Sequence, residues 1–412
     1  MTATRGPAPD AAPLSPAATL ACAVACGVMV ANLFYAQPLV ELIAGELGIG
    51  GRVAGLVVTL TQLGYGAGLL LVVPLADRIE NRRLIVGSTL MTAAALAGVA
   101  LAQGSVAFLA ATLLLGFCSS GAQVIVPFAA SLAPEETRGR TIGNVMAGLL
   151  AGIMLARPVA SLMAHAMGWR SVFWIAAAAM LALAFWLHRA LPQRQPKGEP
   201  YGRILRSLGR IWMTKPTLRR RAFYQGMVFA IFNIFWTAAP LMLARGFGLG
   251  QRGIALFALT GAAGALAAPI AGRLGDRGHV RIGTAAALAT ITVSLLLAGW
   301  AADLHSLLLL VLFAITLDGA TQVNQVLGQR VIYALPGEER GRLNAIYMTV
   351  VFLLGAGGSA VATFAFGVGG WWGAVATGTA LGVLVIAVFA TEPRPMRGVR
   401  DQAAMEWASG SA

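Results

Sequence analysis

One carboxylate and one guanidinium lie deep inside stretches of this chain that are otherwise apolar. Asp318 is about twelve residues into the apolar window 306–331. At ~1.5 Å of rise per residue it sits near mid-membrane if that window crosses a bilayer as a helix. The charged form of a lone carboxylate is costly in a low dielectric, so such a group can take up and release a proton, the chemistry of proton coupling. A permanently paired or protonated structural aspartate also fits the position. Arg157 is the only basic residue inside an apolar window and away from its ends, about seventeen residues into 141–164. Three roles fit it: neutralising Asp318, binding an anionic solute, or reaching the interface along its own apolar stem.

Amides and polar aromatics accompany these charges. Asn32, Tyr35 and Gln37 fall in the first window, Gln123 in the fourth, Gln225, Asn233 and Trp236 in the seventh, and Gln322, Asn324, Gln325 and Gln329 in the tenth. A polar side chain in hydrocarbon costs free energy unless it meets a partner or water. Asn32, Tyr35, Gln37, Gln123, Asn233, Trp236, Asn324 and Gln325 are therefore expected to face a cavity and touch solute. Some of these amides can instead bond only to neighbouring helices, each worth roughly 0.6 kcal/mol.

Other chemistries find no footing. Cys22, Cys26 and Cys118 lie in apolar windows with no partner ligands, and His165, His188, His279 and His305 fall at window ends or in loops. These residues predict no metal site, no catalytic residues and no cofactor. No GxxxxGK[ST] phosphate loop is present, so any energy input comes from an ion gradient rather than from nucleotide.

Elements that hold such residues in hydrocarbon must pair their own backbone groups, which selects helices. The chain is 58% hydrophobic and 11% charged with a mean hydropathy of +0.76, whereas soluble domains carry about 25% charged residues. Twelve windows reach spanning length: 17–43, 53–76, 84–103, 106–131, 141–164, 171–189, 222–244, 253–272, 282–301, 306–331, 343–367 and 371–390. The expectation is an all-α membrane protein with twelve transmembrane helices.

The net charge of +14 orients this protein rather than recruiting nucleic acid. Of 30 Lys and Arg, 25 fall on the side that holds both termini and four on the other, Arg52, Arg170, Arg245 and Arg252. By the positive-inside rule both termini are cytoplasmic. Residues 1–16 read as a disordered cytoplasmic tail, 17–189 as an N-terminal six-helix bundle, 190–221 as a cytoplasmic linker, 222–390 as a C-terminal six-helix bundle and 391–412 as a second cytoplasmic tail. In the linker, the basic spacing from Arg203 to Arg210 suits either an amphipathic helix on anionic lipid or a solvated connector.

The two halves are copies. Asn32, Leu33, Phe34, Tyr35 returns as Asn233, Ile234, Phe235, Trp236, 201 residues later, each followed by a proline, Pro38 or Pro240. Asp77, Arg78 returns as Asp276, Arg277 at an offset of 199. Pro134 to Arg140 returns as Pro336 to Arg342, with five of seven positions identical. So long a period indicates two pseudo-symmetric bundles around one axis.

With twelve spans and a duplicated chain, Pro74 to Arg83 resembles the signature loop of the major facilitator superfamily, and Gly272 to Arg281 resembles it more closely. The first copy departs from the pattern at Val73 and Asn81, where glycines are usual. The resemblance covers essentially the whole chain. It implies that helices one, four, seven and ten line the central path. It also implies a cytoplasmic gate in which Asp77 and Arg78 work with Arg138, and Asp276 and Arg277 with Arg340. A carboxylate at a helix end can hold a facing helix N-terminus and an arginine while closed, and release both when the halves rock apart. Gly148, Gly152, Ala156, Pro158 and Ser161 resemble the antiporter motif of drug:proton exchangers, with Arg157 where small residues are more usual.

The combined reading is a monomeric transporter of the bacterial inner membrane, working on a small-molecule substrate and protons within the lipid bilayer. Proton-coupled efflux of small amphipathic compounds is the first expectation. Proton-coupled uptake of an anionic metabolite is the alternative if Arg157 faces the cavity. A non-transporting receptor or scaffold of the same fold is a third, disfavoured by latch loops in both halves. An enzyme is not expected.

Overall fold

The computed structural model of the chain describes residues 15–50, 54–196, 198–264, 267–335 and 340–392, and all regular elements among them are helical. In the first half, α1 (Pro16–Ala31), a short 3-10 turn (Gln37–Leu39) and α2 (Val40–Leu47) make one crossing. α3 (Leu56–Leu71) and α4 (Asn81–Leu101) follow, then α5 (Ser105–Ser119) continued by α6 (Ala122–Leu132), then α7 (Glu135–Met167) and α8 (Trp169–Ala190). The linker forms α9 (Tyr201–Thr214).

The second half begins with α10 (Pro216–Phe247), six residues before the expected boundary because Pro216 is preorganised for the first helical position. Its next crossing is assembled from α11 (Gln251–Ala258), α12 (Thr260–Gly264) and α13 (Ala268–Asp276). α14 (Val280–Asp303) and α15 (Leu307–Tyr333) come next. α16 (Arg340–Ala390) holds the last two crossings, divided at Gly369 and Gly370. Gly370 has φ 57°, a conformation that costs a residue with a Cβ. Among the described residues nine helical stretches are long and apolar enough to span. With α16 crossing twice and the segmented first and eighth crossings, the pattern is that of twelve transmembrane helices in two six-helix bundles. The terminal stretches 1–14 and 393–412 lie outside the described residues.

The first crossing departs from the expected continuous helix 17–43. α1 stops at Ala31, and residues 32–36 run as successive tight turns, with Phe34 N donating to Ala31 O (3.0 Å) and Gln37 N to Phe34 O (3.3 Å). Pro38 explains the break, since it lacks an N–H and its ring crowds the carbonyl four residues back. The copied string in α10 stays helical through Pro240.

Within the first half α1 packs on α7, α3 on α5, and α4 on α8; within the second, α10 packs on α16 and α14 on α15. The halves meet along two seams, α3 against α16 and α7 against α11 and α12. On the first seam Gly55 N donates to Thr363 Oγ1 (3.0 Å), Thr59 Oγ1 to Ala356 O (3.2 Å), and the rings of Tyr65 and Phe352 lie 4.4 Å apart. Large side chains such as Leu90, Met91, Leu181, Phe185 and Leu308 are exposed on the outer surface, where lipid covers them.

The small-residue face of α7 brings it against α1. A Cβ on Gly148 would fall on the Ala23 carbonyl, and one on Gly152 on the Gly27 carbonyl. Without a hydrophobic drive between helices in lipid, this close backbone approach is what joins them. Gly152→Leu is expected to force α1 and α7 apart and cost about 1–3 kcal/mol. Thermal unfolding of the purified chain in detergent checks this, against Gly87→Leu, where open space surrounds the glycine.

Candidate solute and coupling site

The site is organised by α10, the most enclosed of the spanning helices among the described residues. Asn233 and Trp236, three residues apart, share one of its faces. Trp236 Nε1 donates to Asp318 Oδ1 on α15 at 2.8 Å. The guanidinium of Arg157, from α7, lies over the same indole with its Cζ 4.7 Å from the ring centroid. One aromatic ring thus touches both buried charges, Arg157 on its face and Asp318 at its N–H edge. Asp318 is near enough to act on Arg157 electrostatically, yet among the described residues no carboxylate comes within 4.0 Å of the guanidinium.

Two further rings complete the surroundings of Arg157, Phe34 at 4.9 Å and Phe232 at 5.1 Å. Its Nε donates to Gln37 Oε1 at 2.7 Å, while its Nη2 is buried with no hydrogen-bond partner. Gln37 Nε2 in turn donates to Asn233 Oδ1 (3.3 Å), which also accepts from Gln62 Nε2 (2.8 Å). Arg157, Gln37 and Gln62 belong to the first half and Asn233 to the second, so this layer ties the halves together at the centre. The break around Pro38 brings Gln37 into it.

Asp318 fits because its neighbour helix has no side chain there. A Cβ on Gly261 would lie 2.7 Å from Asp318 Oδ2, and one on Gly264 would overlap Asp318 Cβ. Beside Arg157 is a cavity of about 10 Å³ lined also by Pro38, Trp236 and Pro240. That is room for about one water.

Among the eight residues expected to touch solute, the structure brings Gln37, Asn233 and Trp236 together with Arg157 and Asp318. Asn324 and Gln325 form a separate cluster on Gln225, with Asn324 Nδ2 donating to Gln225 Oε1 (2.7 Å) and Gln225 Nε2 to Gln325 Oε1 (3.4 Å). Gln123 Nε2 donates to Tyr65 OH (3.0 Å). Asn32 is buried against Met180, its Oδ1 without a partner, and Tyr35 is half-buried against the core. Gln62, Phe34 and Phe232 are the members not among the expected site residues. Gln62 carried the same signal as the others, an amide inside an apolar window.

Among the described residues the charged latch residues take the following partners. Asp77 takes Arg342, from the opposite half, at 3.3 Å, and Arg342 also holds Glu199 (2.7 Å) and donates to Ser207 of α9 (3.3 Å). Asp276 takes Arg330 at 2.6 Å rather than Arg340, because α15 packs beside α13. Arg78, Arg277 and Arg340 are exposed, and the side chain of Arg138 lies outside the described part. At the far end of the molecule Glu41 pairs with Arg245 across the halves at 3.0 Å. Also there, within the first half, Glu46 accepts from Trp169 Nε1 (2.5 Å) and from Arg170. These two donors, the indole first, hold the Glu46 carboxyl below its ordinary value.

The sequence profile of the Major Facilitator Superfamily matches residues 20–323 and 221–409. The chain is 40% identical to the uncharacterized transporter YgaY of Escherichia coli O157:H7 over 91% of its own length and 95% of that protein. It is 28% identical to a chloramphenicol resistance protein of Streptomyces lividans over 68% of its own length and 70% of that protein. Its fold superposes on a bacterial homolog of the human lysosomal transporter Spinster, in an inward-facing, unoccupied conformation, with a TM-score of 0.71. That match has 15% identity and covers 91% of this chain and 96% of the other.

Two outcomes follow from the ion pairs. Cysteines placed at Asp77 and Arg342 are expected to cross-link when this end is closed and to lose that cross-link when transport opens it, as read by gel shift. Glu46 is stabilising while ionised, so its contribution is full at neutral pH and is lost as pH falls below the ordinary 4.5 and through its lowered folded value. Glu46→Gln is expected to flatten the acid limb of the melting-temperature profile.

Proposed function

The chain belongs to the Major Facilitator Superfamily, and on that premise we propose that it is a proton-coupled secondary transporter that exports small amphipathic organic compounds by alternating access. That it is a membrane transporter, not an enzyme, follows from membership. The coupling reading rests on one observation, Asp318 buried in α15 and bonded to the indole that also carries Arg157. Taking up a proton removes the negative charge that Trp236 and Arg157 both feel, and so changes the balance of charge at the centre. Losing it restores the original arrangement. Solute occupying the layer of Gln37, Asn233 and Gln62 competes for the bonds that join the halves.

The ends can follow. Glu41 with Arg245 and Asp77 with Arg342 span the halves at opposite faces, and partly exposed pairs contribute only about 0–1 kcal/mol each. Either can therefore break thermally while the other holds. The linker end is the cytoplasmic one by the Lys and Arg asymmetry, in the inner membrane of a bacterium, and the unit is a monomer. The name of the Streptomyces lividans relative supports export.

A second reading is uptake of an anionic metabolite with protons. The free Nη2 of Arg157 beside the cavity favours it, since a buried guanidinium gains most from an acceptor that completes its hydrogen bonds. Asp318→Asn is expected to abolish gradient-driven accumulation in proteoliposomes while leaving some solute exchange. Unchanged proton coupling in that variant would sink the assignment.

A further inference from the structure

Three aromatic faces and a nearby carboxylate are the parts of a receptor for an organic cation. Here Phe34, Phe232 and Trp236 supply the faces and Asp318 the carboxylate, one hydrogen bond behind Trp236. The position a cation would take is filled by Arg157, which is 3% exposed and held as a ligand would be, by ring faces and one amide oxygen. With the central layer as the solute site, as proposed above, we propose that Arg157 is a tethered occupant of a cation cage. It excludes organic cations from this transporter and restricts its solutes to neutral and anionic compounds.

The geometry separates this role from simple neutralisation of Asp318. A guanidinium placed to neutralise the carboxylate would pair with it directly and bidentately. Among the described residues Arg157 instead has no carboxylate within 4.0 Å and spends its surface on the three rings. Its long stem enters from α7, in the first half, while Trp236 and Phe232 come from α10 and Asp318 from α15, in the second. The occupant and most of the cage therefore move relative to each other when the halves rock, and the cage opens only as the guanidinium withdraws. In the resting arrangement a cationic solute meets a like charge; an anion or neutral acceptor meets the free Nη2.

Removing the occupant should uncover the receptor. Binding of tetraphenylphosphonium to the purified full-length chain in lipid nanodiscs tests this. Arg157→Ala is expected to bind the probe about tenfold or more tighter than wild type, the scale of a few cation–ring contacts. Arg157→Lys, which restores a cation, should return binding toward the wild-type level. Asp318→Asn added to Arg157→Ala should weaken it again. If Arg157→Ala unfolds, Arg157→Met keeps the volume without the charge and is read the same way. Wild type binding the probe as tightly as the neutral variants, or Arg157→Lys binding as tightly as Arg157→Ala, would overturn the proposal.

Failure of the underlying reading looks different. Asn233→Leu alters the central layer but none of the cage rings. If it leaves transport of every solute unchanged, the layer is not the solute site. If it abolishes transport while Arg157→Ala gains no cation binding, only the cage role fails.

Discussion

A guanidinium buried away from water and from any paired carboxylate is the constraint around which the centre of this protein is arranged. Isolated buried charge is among the most costly things a fold can contain. Arg157 is accommodated by three ring faces, one amide oxygen and the field of Asp318 across an indole. Those supports come from three different segments. The tight turns after α1 supply Phe34 and Gln37, α10 supplies Phe232 and Trp236, and α15 supplies Asp318, which the glycines of α12 leave room for. Moving any of these elements exposes charge, so the centre and the spacing of the helices are one problem.

The same arrangement explains why a duplicated sequence makes an asymmetric site. Asn233 accepts from two first-half amides, whereas its sequence counterpart Asn32 is turned toward Met180. Trp236 bonds Asp318, whereas its counterpart Tyr35 lies half-buried in the first half. Pro38 breaks its helix and Pro240 does not. Equivalent side chains thus meet different surroundings, and charge in the centre has no symmetric mate: Asp318 aligns with Gly116, which packs against the Thr61 carbonyl. The symmetry survives in the two seams, α3 against α16 and α7 against α11 and α12.

Legibility followed the kind of physics involved. Asp318 and Arg157 stood out because charge inside an apolar window is rare whatever surrounds it. Gln37, Asn233 and Trp236 were visible as polar groups needing partners, and Gln62, an amide inside the window 53–76, carries the same signal. The partners of the latches were not visible. The expectation set Arg138 beside Asp77 and Arg340 beside Asp276; that Arg342 reaches Asp77 depends on how α16 meets the end of α3.

What the sequence by itself determined was everything set by transfer from water to hydrocarbon and by local chain chemistry. The twelve apolar windows, the copied halves and the charge asymmetry between faces belong here, as do the two intramembrane charges. Tertiary structure alone decided which groups touch. An indole shared by Arg157 and Asp318, one oxygen of Asn233 shared by Gln37 and Gln62, and Arg342 on Asp77 are relations between residues 79 to 265 positions apart. Apolar length fixes which segments enter the membrane, but lipid solvates every apolar face alike. Only close backbone approach at small residues, and the need of each buried polar group for a partner, select the rotation and depth of one helix against another.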